Sequence, residues 1–210
     1  MSWISQQLRR VSRFLYRKQL RNTSFSLISN NCIGGIISHD LDLQFRSPTV
    51  NLFFQDEDFI LFCQHLRYYL SLPVEKVDSE MDYPVGALKG DYGTIRLYFM
   101  HYDSFDKARE KWKERASRVD YDNLYIIMEA KKCSQALLEE FDHLDFPNKV
   151  ILTDGSHPEI PCSFPIEGDF YGKDYFEGKL FTCPKHKLRR YMDVFDYVAF
   201  LNEGVIKRRR

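Results

Sequence analysis

At 210 residues with zero formal net charge, the chain has room for one domain with a full core and too little for two ordinary domains and a linker. The charge is unevenly distributed: six of the 30 basic residues lie in residues 1–21 and four in 207–210, while all 30 acidic residues lie between. An acidic body between basic ends excludes the folded basic face of a nucleic-acid binder. No stretch approaches the ~20 consecutive apolar residues of a membrane span, and residues 1–21 lack the apolar core and small-residue cleavage site of a secretory signal. Five cysteines without Cys-x-x-Cys spacing or paired histidines argue against structural zinc and for reduced thiols. The expected compartment is the cytoplasm.

In residues 1–21, Ile4, Leu8, Val11 and Leu15 recur at three- and four-residue spacing after Trp3, with arginines between them. This predicts a basic amphipathic helix. Such a helix either lies on an anionic membrane surface, apolar side down and with each basic residue adding on the order of 1 kcal/mol, or packs on the domain. Ser24 to Ser29 reads as a buried strand and Thr49 to Phe54, after Pro48, as a second. A helix follows with Asp56 as its cap and Phe59, Ile60, Cys63, Leu66 and Leu70 as its apolar stripe, ending before Pro73. Pro84 to Leu88 and Thr94 to Met100 read as strands of a hairpin.

A charged helix then runs from Ser104 or Asp106 to about Val119, with Phe105, Ala108, Trp112 and Ala116 facing inward. A strand at Asn123 to Met128, a helix at Ser134 to His143 and a strand at Lys149 to Leu152 complete the alternation. Asp154 to Pro184 reads as irregular, with Phe164, Phe170, Tyr171, Tyr175, Phe176 and Phe181 placed to cover a substrate as a lid or binding loop. A final helix is expected over about Leu188 to Leu201. The fold class is therefore α/β: a three-layer, Rossmann-like, mostly parallel mixed sheet with helices on both faces, one antiparallel hairpin and an N-terminal amphipathic helix. The organisation is a basic helix over 1–21, one α/β domain over 22–206 and a basic tail over 207–210.

Chemistry concentrates after the first strand, in Ser29-Asn30-Asn31-Cys32-Ile33-Gly34-Gly35 and on to His39-Asp40. The carboxyl ends of strands in an open α/β sheet are where ligands bind. Cys32, close to a helix N-terminus, is placed as a nucleophile; its other reading is a small core residue beside a tight turn. His101 ends another strand and starts His101-Tyr102-Asp103. With His39 it is a candidate base, and Asp40 or Asp103 a candidate partner for the imidazole. Asn30, Asn31, Gly34, Gly35, Tyr102 and Asp103 are the candidate substrate-binding residues: the amides as oxyanion donors or as turn formers, the glycines as points of close backbone approach. No metal site is assigned, although Asp40-Leu41-Asp42 has the spacing of a pair of hard oxygen ligands. Neither nucleotide-binding glycine fingerprint is present.

These segments, with Ser47-Pro48-Thr49-Val50-Asn51-Leu52-Phe53, Tyr83-Pro84-Val85-Gly86, His101-Tyr102-Asp103-Ser104-Phe105, Lys111-Trp112-Lys113-Glu114-Arg115 and Asn148-Lys149-Val150, resemble a bacterial family catalogued as a domain of unknown function, DUF1919. Its members are usually described as exopolysaccharide biosynthesis proteins. Asp42 stands where the family pattern His-Asp-Leu-Gly has its glycine. The resemblance implies a transferase of exopolysaccharide or capsule synthesis acting on a sugar or lipid-linked glycan. The Cys/His site favours acyl transfer from an acyl-coenzyme A donor. A metal-dependent glycosyltransferase using Asp40 and Asp42, or a non-catalytic glycan-binding or assembly protein, are the alternatives.

Overall fold

The central sheet is built from strands whose side chains alternate between two apolar faces. The computed structural model describes residues 3–130, 134–166, 179–183 and 189–209, side chains of 3–8 and 179 excepted. In chain order the elements are α1 (Trp3–Gln19), β1 (Ser26–Ser29), α2 (Ile33–Asp40), α3 (Asp56–Gln64), α4 (Leu66–Ser71), β2 (Glu75–Val77), β3 (Val85–Gly90), β4 (Gly93–Tyr98), α5 (Phe105–Ala116), β5 (Leu124–Glu129), α6 (Gln135–Asp142), β6 (Lys149–Thr153), β7 (Ser163–Pro165) and α7 (Tyr197–Glu203). Short 3-10 turns occupy Lys179–Phe181 and Tyr191–Val194.

Strands β1, β5, β6 and β7 form a parallel sheet in the order β1-β5-β6-β7. Leu27, Tyr125, Ile127, Val150 and Leu152 point to one side, where Ile33 and Ile37 of α2 and Val198 and Leu201 of α7 cover them. Ile28, Ile126, Met128 and Ile151 point to the other side, against Phe59 and Phe62 of α3, Trp112 of α5 and Leu138 and Phe141 of α6. Burial on both faces is why these strands read as almost unbroken apolar runs, and it produces the expected three layers.

Several elements differ from the sequence reading, among them the helix that starts at Asp56, which breaks at His65 into α3 and α4. The hairpin forms, but with β2 it makes a separate antiparallel sheet in the order β2-β3-β4. Its inner residues Leu88, Ile95 and Leu97 pack in the same cluster as α3, so α3 lies where a shared sheet would have placed a strand. Thr49 to Phe54 makes only an isolated bridge, Phe53 to Tyr98. Asn51 adopts φ 65°, and this left-handed residue breaks the extended backbone, while Val50, Leu52, Phe53 and Phe54 are still buried as the segment crosses the sheet edge. The last helix is shorter than expected: the turn at Tyr191–Val194 precedes α7, whose Asp196 caps it by accepting from the Ala199 N–H at 3.2 Å. The region expected to be irregular contributes β7. Of its aromatics, Phe164 is buried in the core, whereas Phe170, Tyr171, Tyr175 and Phe176 lie outside the described residues.

Helix α1 is oriented by its charges. Arg9, Arg13 and Tyr16 lie half-buried on the domain side, Tyr16 edge-on to Tyr197 at 5.6 Å between ring centres. Val11, Phe14 and Leu15 face outward, 56, 55 and 48 % exposed. The expected helix is thus partly inverted: its arginines hold it to the protein and these apolar residues are free.

Candidate active site at the carboxyl edge of the sheet

Polar residues that follow β1 fasten its end to that of β5. The Asn30 side chain accepts from the Glu129 N–H and donates to the Glu129 carbonyl, both at 2.9 Å, so one amide extends the sheet by a rung. Asn31 accepts from the Ile33 N–H at 3.0 Å through Oδ1 and donates through Nδ2 to the fully buried carboxylate of Glu129. Ser29 Oγ accepts from the Gly34 N–H at 3.1 Å and donates to the Asn31 carbonyl at 2.7 Å. Both amides are therefore committed to building the junction. Asn31 borders the cavity described below, but its N–H groups face Glu129 rather than an incoming oxyanion.

Gly34 likewise serves packing. A Cβ there would meet Ser29 Oγ at 2.7 Å and the Leu27 carbonyl oxygen at 3.2 Å, so only glycine lets α2 start this close to β1. Gly34→Ala is expected to destabilise the protein by about 1–3 kcal/mol through overpacking. A denaturant titration checks this, and an unchanged midpoint would contradict it.

A cavity of about 650 Å³ opens at this edge, within the usual range for small-molecule sites. Cys32, His39, Asp40, His101, Asn31 and Gly35 all line it, with Phe53 and Phe181 supplying apolar wall and Arg9 and Arg13 reaching in from α1. The hairpin thus delivers His101 to the same edge as Cys32. Four expected residues lie elsewhere. Asn30 and Gly34 are behind the wall. Tyr102 accepts from Arg115 Nη1 at 2.7 Å and donates to the Val50 carbonyl at 3.2 Å; burial raises its pKa against the opposing pull of Arg115. Asp103 is exposed and pairs with Lys107 at 3.2 Å.

Cys32 is half-buried at the position preceding the first turn of α2. Cys63 and Cys162 are buried, and burial holds both thiols well above the usual range. Such thiols are poor nucleophiles; Cys32 differs from them in bordering the cavity. Cys183 is also half-buried, and Cys133 lies outside the described residues. His39 is exposed, and its Nδ1 accepts from Arg13 Nη2 at 3.2 Å. A guanidinium only donates, so the ring proton sits on Nε2 and Nδ1 is occupied. His101 is the better placed of the two imidazoles to act as a base.

Asp40 comes within 4.0 Å of His39 Nδ1 through Oδ1, but its close partners are arginines. It is 1 % exposed and receives Arg13 Nε at 2.7 Å on Oδ1 and Arg190 Nη2 on Oδ2, with Arg9 at 3.8 Å. Arg190, itself 3 % exposed, also binds Asp193 at 2.6 Å. Burial opposes its charge, but the bonds to Asp193 and the attraction of Asp40 outweigh that and hold it firmly protonated. Arg17 donates to the Asp40 carbonyl at 3.2 Å and pairs with Asp42 at 3.4 Å. The carboxylates of Asp40 and Asp42 thus turn to different arginines and do not converge as a ligand pair. Asp42 has φ 59°, directly after the C-cap residue of α2, where glycine is the usual solution.

Sequence reasoning missed Arg9, Arg13 and Arg190 as site residues. The four-residue spacing of Arg9, Arg13 and Arg17 was the available signal, because it puts three guanidiniums on one helix face.

The sequence pattern of a family described as "Domain of unknown function (DUF1919)" matches residues 4–202. An uncharacterized protein of Haemophilus influenzae (strain Rd) is 38 % identical over 195 residues, covering 92 % of this chain and 91 % of that protein.

Proposed function

The chain belongs to the DUF1919 family, and from that premise we propose that it is a transferase of exopolysaccharide or capsule synthesis, acylating a sugar or lipid-linked glycan through Cys32 and His101. The observation that carries this reading is one cavity at the carboxyl edge of the sheet lined by a half-buried thiol, an imidazole and two arginines. The glycosyltransferase reading loses its carboxylate pair to the arginines around Asp40 and Asp42.

In the proposed reaction, Cys32 Sγ attacks the carbonyl carbon of an acyl thioester such as acyl-coenzyme A. His101 takes the thiol proton and returns it to the departing donor thiol. A sugar hydroxyl then attacks the Cys32 thioester, and His101 takes the hydroxyl proton. The Cys32–acyl bond breaks as the ester forms, and the proton returns to Cys32 Sγ. Asn31 keeps its amide on Glu129 throughout, so the thiol stands on a fixed turn.

Intact-mass measurement of the protein with acetyl-coenzyme A tests this. One acetyl group is expected, located on Cys32 by peptide mapping, absent from Cys32→Ser and discharged by acceptor glycan. An unmodified Cys32 under these conditions would remove the covalent route.

The reading places the protein on the inner face of the plasma membrane. Val11, Phe14 and Leu15 face outward beside the exposed Arg10, Arg17 and Lys18, a combination that suits an anionic lipid surface. No described helix is long and apolar enough to span a membrane, so contact would be peripheral. Sedimentation with phosphatidylglycerol vesicles is expected to fall at least five-fold in Val11→Glu/Leu15→Glu, and to be weak on phosphatidylcholine for both proteins. Equal sedimentation of the variant on the anionic vesicles would end the anchoring idea.

A further inference from the structure

The arginines from α1 are not needed for the thiol chemistry, and their charge is incompletely answered. Asp40 is claimed by Arg13 and Arg190, and Asp193 by Arg190. Among the described residues, three guanidiniums therefore stand against two carboxylates at the back of the cavity. Arg9 is the cation left over. Its nearest carboxylate oxygen is 3.8 Å away, its buried Nε has no hydrogen-bond partner among the described residues, and it borders the cavity. Behind it the almost fully buried Arg190 has a further nitrogen, Nη1, with no hydrogen-bond partner among the described residues. A buried guanidinium with unmade bonds is costly unless something completes the site.

The geometry points to an anion site: the end of the cavity walled by Arg9 and Arg13 receives the phosphate or diphosphate of a substrate. Arg9 and Arg13 are one helical turn apart on the same face; Arg13 spends Nε and Nη2 on Asp40 and His39, so Arg9 supplies the open fork and Arg13 a second positive charge beside it, an arrangement that suits a phosphoryl group. The surplus cation on the wall is satisfied when such a group enters. Burial and the like charge of Arg190 already make Arg9 less basic than usual, a penalty that a bound anion relieves. Two sources carry this chemistry: the diphosphate that joins a glycan to its lipid carrier, and the diphosphate of an acyl-coenzyme A donor. The identity of the source rests on the transferase reading; the anion site itself does not.

Calorimetric titration of the full chain with sodium pyrophosphate at low ionic strength tests the site. Arg9→Gln is expected to weaken binding at least ten-fold. Arg10→Gln, on the exposed side of the same helix, should not, and Cys32→Ser should bind as the parent does. Farnesyl diphosphate binding more tightly than coenzyme A would assign the site to the carrier. Coenzyme A binding more tightly, with pantetheine failing to bind, would assign it to the donor. Absence of pyrophosphate binding, or equal losses in Arg9→Gln and Arg10→Gln, overturns the site. Pyrophosphate binding together with an unacylated Cys32 would retain the anion site and discard acyl transfer.

Discussion

Asp40→Asn is expected to lower the unfolding free energy by about 3–5 kcal/mol, the usual result of removing one partner from a buried ion pair. For a chain of this size that is a fall in Tm of roughly 6–20 °C. The loss is large because the neutral amide keeps one acceptor oxygen where Asp40 uses two: Arg13 and Arg190 each bind one, and among the described residues Asp193 alone is left to answer Arg190. Removing the negative charge leaves guanidiniums facing one another in a site from which water is largely excluded. Asp103→Asn is the control, since its carboxylate is exposed and its pair with Lys107 belongs to the class worth between nothing and about 1 kcal/mol. Thermal unfolding of both variants decides the matter. A loss below about 1 kcal/mol for Asp40→Asn would mean that the arginines around it are solvated rather than paired.

The second large effect is on transfer. Cys32→Ser is expected to abolish the acylated enzyme, and His101→Gln to slow transfer roughly 10²–10⁴-fold, the range for loss of a general base. His39→Gln should cost less than about ten-fold, because Arg13 already occupies Nδ1. Each of these positions borders solvent in the cavity, so stability should change by no more than about 1 kcal/mol. Polymer acylation in a strain carrying each variant, alongside intact-mass measurement, reads both quantities. If Cys32→Ser and His101→Gln support normal acylation, the protein is a binding or assembly component and its cavity holds a glycan without transforming it.

Much of the architecture was legible because it follows from local patterns. The unbroken apolar runs of β1, β5 and β6 demanded cover on both faces, and the convergence of strand ends drew attention to Cys32 and His101 together. What was not legible is non-local. Nothing near Asp40 in sequence announces Arg190, and the apolar spacing in residues 1–21 drew attention to the side of Val11 and Leu15 when Arg9 and Arg13 border the cavity. Thr49 to Phe54 reads as a strand by composition, and only the left-handed Asn51 prevents one. The role of Asn31 is equally hidden, since its partner Glu129 sits at the end of a strand 98 residues later.

The bond between Asp40 and Arg190 spans 150 residues, and Arg21 meets Glu203 across 182. Closing loops of that length is entropically the most demanding step of assembly. The sheet can pair, and Arg13 can meet Asp40 across 27 residues, before Arg190 is in place. During synthesis Arg190 can reach Asp40 only after the 150 residues between them have been made, so the back of the pocket is completed after the sheet. A chain stopped short of Arg190 therefore holds Cys32 and Arg13 at a built sheet edge while Asp40 still lacks its second arginine.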